Sequence, residues 1–325
     1  MMRYIVRRLL HTALLLLAMS AILFAAVYVI GNPVDILIDP QAPQAEAARA
    51  TAALGLDRPL PLQYWRFLTH AVHGDLGTSF VSNVPAMDLV LQRFPATLEL
   101  AFAATVIAVG FGLPLGLWAG MRPGSWSARF IMTGSVLGFS LPTFWVGVML
   151  VSIFSVWLGW LPPAGRGDTV NVLSIPVSLL TLDGWRHALL PAVNLALFQL
   201  ALMVRLVRAG TADAYSSDYV RFARAKGVPE SRIARQHVLP NIAIPVVTVA
   251  GLEFGSVIAF AIVTETIFAW PGMGKLLIDS INMLDRPVIV AYLLLVVCLF
   301  VAINFVLDLV YTALDPRVRL PGEST

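Results

Sequence analysis

Charge is what this sequence has least of. Asp, Glu, Lys and Arg make up 13% of its 325 residues, where a soluble globular chain carries about 25%. A soluble fold of this size would lack a charged surface, and disorder would need more charge still. Cysteine is nearly absent too. The one residue, Cys298, lies in an apolar run, so no internal disulfide can form. Five histidines are scattered, and only His70 and His73 could share a helix face. Zinc usually needs three or four protein ligands, so no metal site is expected.

Chemical motifs are missing as well. PGMGKLL at 271–277 lacks the first glycine and the hydroxyl residue of a phosphate-cradling loop, so ATP is not expected to bind this chain. There is no G-x-S-x-G elbow and no H-E-x-x-H, and the chain is expected to be no enzyme and to hold no cofactor. GFGLPLG at 110–116 sits inside an apolar run rather than after a strand, which excludes a dinucleotide fingerprint. The net charge of +3 is too small to argue for nucleic acid.

What is there is hydrophobic length. Apolar residues reach 58%, against roughly 45–50% in globular proteins. A helix needs about 20 apolar residues to cross the hydrocarbon core. Leu9–Ile30, Leu100–Gly120, Phe130–Leu161, Ala188–Val204, Ile242–Val263 and Val288–Leu307 supply six candidates. The third is long, and Pro142 divides it, which predicts a tilted or broken helix. The sequence therefore predicts an all-α membrane protein with six transmembrane helices. The first run is longer than a signal h-region and is expected to stay as an anchor.

An even number of spans puts both termini on one side, and basic residues choose it. With the termini cytoplasmic, the inner segments hold 14 of the 22 Lys and Arg. Residues 32–97 then form an extracytoplasmic segment between a first region, 1–31, and a core, 98–325. Pro43–Leu54 is helix-prone, and Leu62–Val72 carries Trp65, Phe67 and Leu68 on an expected buried stripe, so this segment is read as a small helical cap. Gly112, Gly116 and Gly120 recur at four-residue spacing, as do Gly134 and Gly138, and small residues so placed let helices approach closely in lipid.

Acids at membrane depth are costly and face protein or water. Glu253 falls near mid-bilayer, Glu265 close to the outer end, and Asp308 near the inner surface. Asp308 is read as structural, held by groups such as Asn194, Gln199 or Asn304. Glu253 and Glu265 are either structural in the same way or residues of the pathway or its gate.

The segment 205–240 is long for a membrane loop, with seven basic residues against three acids. Tyr219–Lys226 reads as a short helix, and Gly227 suits its stop. Pro229 opens a second helix that is expected to end at Pro240. A helix held on anionic lipid by its basic residues would also explain the pattern.

Here the sequence resembles a known family. ARAKG at 223–227 followed by HVLPNIAIPVVT at 237–248 looks like the EAA loop of bacterial ABC-importer permeases, more narrowly those for dipeptides and oligopeptides. LGLDRPLPLQYWRFL, HGDLGTSF, QRFPATLEL, TETIFAWPGMGKLLIDSI and the closing DPRVR are similar in the same order, as is the N-terminal MMRYIVRRLL. Two departures stand out. The loop's Glu-Ala-Ala is Arg221-Phe222-Ala223, and Gly31-Asn32-Pro33 stands where Gly-Asp-Pro is expected.

The resemblance implies a type I ABC importer permease fold in the bacterial inner membrane. It implies a second homologous permease, two cytoplasmic ATPase subunits that bind ATP and Mg, and an extracytoplasmic solute-binding protein. The ATPase-docking loop would then comprise Tyr219, Phe222, Ala223, Arg224, Ala225, Lys226, Gly227 and Arg232. The transported solute would be a peptide or a similar small molecule, with nickel, glutathione and metallophores as variants. The alternative from another class is a secondary, ion-coupled transporter using Glu253 and Glu265.

Overall fold

The computed structural model describes residues 14–25, 49, 51–52 and 57–314, with backbone alone at 309 and 311–314. Its elements in order are α1 (Leu14–Ala25), α2 (Leu60–Val72), α3 (Ala86–Met121), α4 (Trp126–Ser140) and α5 (Thr143–Trp157), then the strands β1 (Val170–Val172) and β2 (Ile175–Val177). There follow α6 (Leu182–Ser216), α7 (Asp218–Ala225), α8 (Glu230–Phe260), α9 (Ile262–Ile267), α10 (Met273–Asn282) and α11 (Arg286–Leu314). Among the described residues, four helices are long and apolar enough to span a membrane, and the α4–α5 pair makes five if it crosses once. The α1 segment is apolar and covers the middle of the first expected span; the flanks of that span lie outside the described residues. So do most of Pro43–Leu54, Gly31-Asn32-Pro33, MMRYIVRRLL and DPRVR.

The chain divides into two compact units. The first contains the described parts of Met1–Pro95 and Gly272–Val301. Phe24 of α1 packs on Tyr64 and Phe67 of α2 at ring distances of 5.3 and 5.9 Å, and Tyr64 shares a 2.9 Å hydrogen bond with Ser20. The buried stripe expected through Trp65 is thus displaced. Trp65 is exposed, Phe67 and Leu68 are half-buried, and Tyr64 makes the contact. In HGDLGTSF, Asp75 accepts from Gly77 N at 2.9 Å, and the buried carboxylate of Asp285 accepts from Ser79 Oγ and, at 3.0 Å, from Phe80 N. This ties the loop to the start of α11.

The second unit, Ala96–Pro271 with Ala302–Arg319, holds the remaining spans. Pro142 breaks the third run as expected, and α4 and α5 meet at 105°. Leu141 before it is extended (φ −79, ψ 135), the conformation that proline imposes on its predecessor. Ser125 caps α4 by accepting from Ala128 N, and Thr181 caps α6 by accepting from Gly184 N.

The α3–α6 interface is a ladder. A Cβ on Gly112, Gly116 or Gly120 would lie 2.8, 2.6 or 2.5 Å from Met203, Val207 or Thr211. In lipid the hydrophobic effect drives no helix association, so close packing of this kind does. Gly134 and Gly138 are different. A Cβ on Gly134 meets nothing within 4 Å, and one on Gly138 touches only Leu197 O at 3.8 Å. Four-residue spacing alone does not make a packed seam.

The second loop helix also departs from expectation. It does not end at Pro240 but runs on into the span as α8, through a wide turn at Ala234–Val238. The wide turn lies just before Pro240, whose missing N–H would leave a gap in a regular helix.

Candidate functional site

Two places in the second unit concentrate polar chemistry, one at each end of α6.

At its C-terminal end, Ser217 is extended and the chain turns into α7. The sequence puts Val220 and Ala223 on one face, and both are buried with Ala214, Ile233, Val238 and Ile242. Ala223 therefore packs into the chain's own core. The opposite face carries Phe222, 62% exposed, with Lys226 Nζ 4.4 Å above its ring and Arg221 beside it. Ala225 is exposed on the same turn and Arg232 on the next. Gly227 has φ +74 and closes the helix: its N–H bonds Arg224 O at 2.9 Å, and Val228 N bonds Ala223 O at 3.1 Å.

Two further bonds fix the loop. Arg224 grips Glu230 through Nε at 2.7 Å and Nη2 at 3.3 Å. Glu230 holds the Arg224 guanidinium above its usual range. Asn241 donates to Tyr219 OH at 2.5 Å. The loop is thus a two-piece element tied by side-chain bonds, with Phe222 exposed beside Lys226 and Arg221.

At the N-terminal end of α6, residues 96–99 of α3 hold two other elements. Trp270 is fully buried and donates through Nε1 to Ala96 O at 2.9 Å. Glu265 is also fully buried, and Thr97 donates to its Oε1 at 2.6 Å. Glu99 accepts from Arg166 Nε at 3.2 Å and from Ser178 N and Oγ at 2.7 and 2.5 Å, and it pairs ionically with Arg166 Nη2 at 3.2 Å, which donates to Pro176 O. A buried carboxylate needs such complete satisfaction. Thr264 accepts from Asn194 at 2.9 Å, while Gln199 pairs with Thr105. Asn194 and Gln199 thus bond the hydroxyl groups of Thr264 and Thr105. Glu253 is half-buried on α8, apart from this group in sequence.

Sequence reasoning singled out Glu265 but passed over Thr97, Glu99, Arg166 and Ser178. Glu99 stood one residue before an apolar run, and a charged residue at a span boundary reads as an interfacial group. Its burial depends on a loop about 70 residues away.

Long apolar helices, a proline-broken span and an amphipathic hinge at one helix end define a polytopic membrane protein. Comparison with known proteins narrows that class. Residues 112–320 match the family described as binding-protein-dependent transport system inner membrane component, and residues 1–101 match its N-terminal region. The chain is 40% identical over 320 residues to the glutathione transport system permease protein GsiC of Salmonella paratyphi A (strain ATCC 9150 / SARB42). It is equally similar to GsiC of Escherichia coli (strain K12); each match covers 98% of this chain and 99% of the relative. Among solved structures, the MetNI methionine ABC transporter in inward-facing conformations matches with a TM-score of 0.54 at 17% identity, over 70% of this chain and 97% of that one.

The chain belongs to the family of binding-protein-dependent transport system inner membrane components. It is the permease subunit of an ABC importer, of the dipeptide/oligopeptide type, with the type I importer fold. The matches give the ion-coupled alternative no support.

Proposed function

We propose that this permease forms half of the pathway for glutathione or another short peptide, and that the 219–232 loop couples it to ATP hydrolysis in a separate subunit. The relatives of 40% identity supply the solute to try first. The observation that carries the coupling role is the two-faced α7. Val220 and Ala223 anchor it to the spans, and Phe222, Lys226 and Arg221 remain presented outward. An element anchored on one face and exposed on the other transmits force between two bodies.

In this reading a second homologous permease completes the pore, two ATPase subunits carry ATP and Mg, and a solute-binding protein delivers from outside. Both termini are cytoplasmic, following the distribution of arginine. Residues 32–97 face outward as a unit distinct from the core. Glu253 and Glu265 belong to the pathway and its gate.

Phe222→Asp tests the coupling role. It changes an exposed side chain, so the permease should still reach the membrane. Co-purification of the ATPase should fall by tenfold or more, an order typical of losing a central aromatic anchor. An undiminished ATPase yield from Phe222→Asp would refute docking through this face. If the loop instead lies on lipid, neutralising Arg221, Arg224 and Arg232 would be severe and Gly227→Val mild.

A further inference from the structure

The bonds at residues 96–99 form a closed circuit. From α3, Ala96 O and Thr97 Oγ1 reach the turn at 264–270 through Trp270 and Glu265. That turn reaches the 158–181 loop, because Gly165 N donates to Phe268 O at 2.9 Å. The loop returns to α3 by Arg166 and Ser178, which both hold Glu99. Three chain segments, far apart in sequence, each bond the other two.

The joints of this circuit are made to bend. The α8 helix stops at Phe260, and α9 begins after Ala261. Ala269 within the turn has φ +45, a conformation that costs an L-residue energy and persists only where surroundings hold it. Gly159, Gly165 and Gly167 all take positive φ in the loop. Beside the circuit, Asn194 Oδ1 is buried and accepts no hydrogen bond from the described residues, although its Nδ2 donates to Thr264. Buried acceptors are nearly always satisfied, so a spare one next to the turn fits a cluster with a second arrangement.

From this geometry we infer that Thr97–Glu265, backed by Glu99–Arg166, is the outer latch of the transport cycle, and that opening the outer side breaks it. The inference rests on the pathway reading of Glu265. Both carboxyl groups are buried, and each loses partners when the 264–270 turn or the loop moves away. Leaving a buried acceptor unmade costs far more than a weakened contact, so the circuit switches between two states rather than yielding gradually. Thr97 and Glu99 are positioning residues; they act on the gate through Glu265 and the loop.

The test is accessibility in the assembled transporter, which needs no knowledge of the solute. A cysteine replaces Ala188, which is fully buried beneath Trp270, in a Cys298→Ala background. Intact cells are treated with a membrane-impermeant maleimide. With the latch intact, Ala188→Cys should label slowly. Adding Glu265→Gln or Thr97→Val should raise the labelling rate about tenfold, equivalent to about 1.4 kcal/mol of shifted equilibrium. The two together should raise it by less than the product of their separate effects, since both weaken the same bond, and Thr97→Ser should restore slow labelling.

Unchanged labelling in both single variants would overturn the latch, as would additive effects. Loss of the permease from the membrane in both Thr97→Val and Glu265→Gln would overturn it too, because the bond would then be a requirement for folding. Failure of ATPase docking through Phe222 leaves this readout unaffected, so the two proposals fall separately.

Discussion

At Gly227 a single dihedral angle decides the form of the 219–232 loop. Nothing lies within 4 Å of a Cβ built there, so a larger side chain has room. The cost of substitution comes from φ +74 alone, about 1–2 kcal/mol for an L-residue. Gly227→Val should therefore leave the spans intact but loosen the stop after α7, lowering solute-stimulated ATP hydrolysis severalfold with normal membrane yield. Full stimulation in purified Gly227→Val transporter would show that the loop tolerates another turn. Ala223 needs a different reading from its neighbour Phe222. Its side chain faces the chain's own core, so Ala223→Trp overpacks that core and reports on folding rather than on docking.

At the scale of elements, the α3–α6 ladder can be told from the open glycines of α4 by experiment. Gly116→Ala puts a methyl group 2.6 Å from Val207 Cβ and 2.9 Å from Val204 O, and the second neighbour is backbone, which cannot swing aside. A destabilisation of about 1–3 kcal/mol is expected, the usual range for overpacking. Gly134→Ala meets nothing and should be neutral or slightly stabilising, since alanine is the better helix former. Thermal denaturation of the detergent-solubilised transporter compares the two. Equal melting temperatures would mean that the helices part easily. Pro142 works at the same scale, because a regular helix through it would lack a donor and clash with the preceding turn.

At the scale of the whole chain, the arginine asymmetry predicts an orientation that can be tested directly. Ser82 and Ser216 are both exposed and lie in segments assigned to opposite sides. In a Cys298→Ala background, Ser82→Cys should react in intact cells with an impermeant maleimide, while Ser216→Cys should react only after permeabilisation. Reaction at 216 in intact cells would reverse the topology. In the proposed assembly this orientation decides which α6 end meets an ATPase and which meets the solute.

Hydropathy and proline by themselves determined the membrane class, the broken third span and the positions of the long helices, because lipid forces each crossing segment to satisfy its own backbone. Local chemistry also determined the stop at Gly227, since φ is set by the residue that must adopt it. Two kinds of feature required the tertiary structure. Packing is the first: Gly116 and Gly134 share a spacing pattern, and only the neighbouring helix separates a seam from an open face. Polar satisfaction is the second. Thr97, Glu99, Arg166, Ser178 and Glu265 come from three distant segments, and no local pattern in any of them records that the others complete its hydrogen bonds.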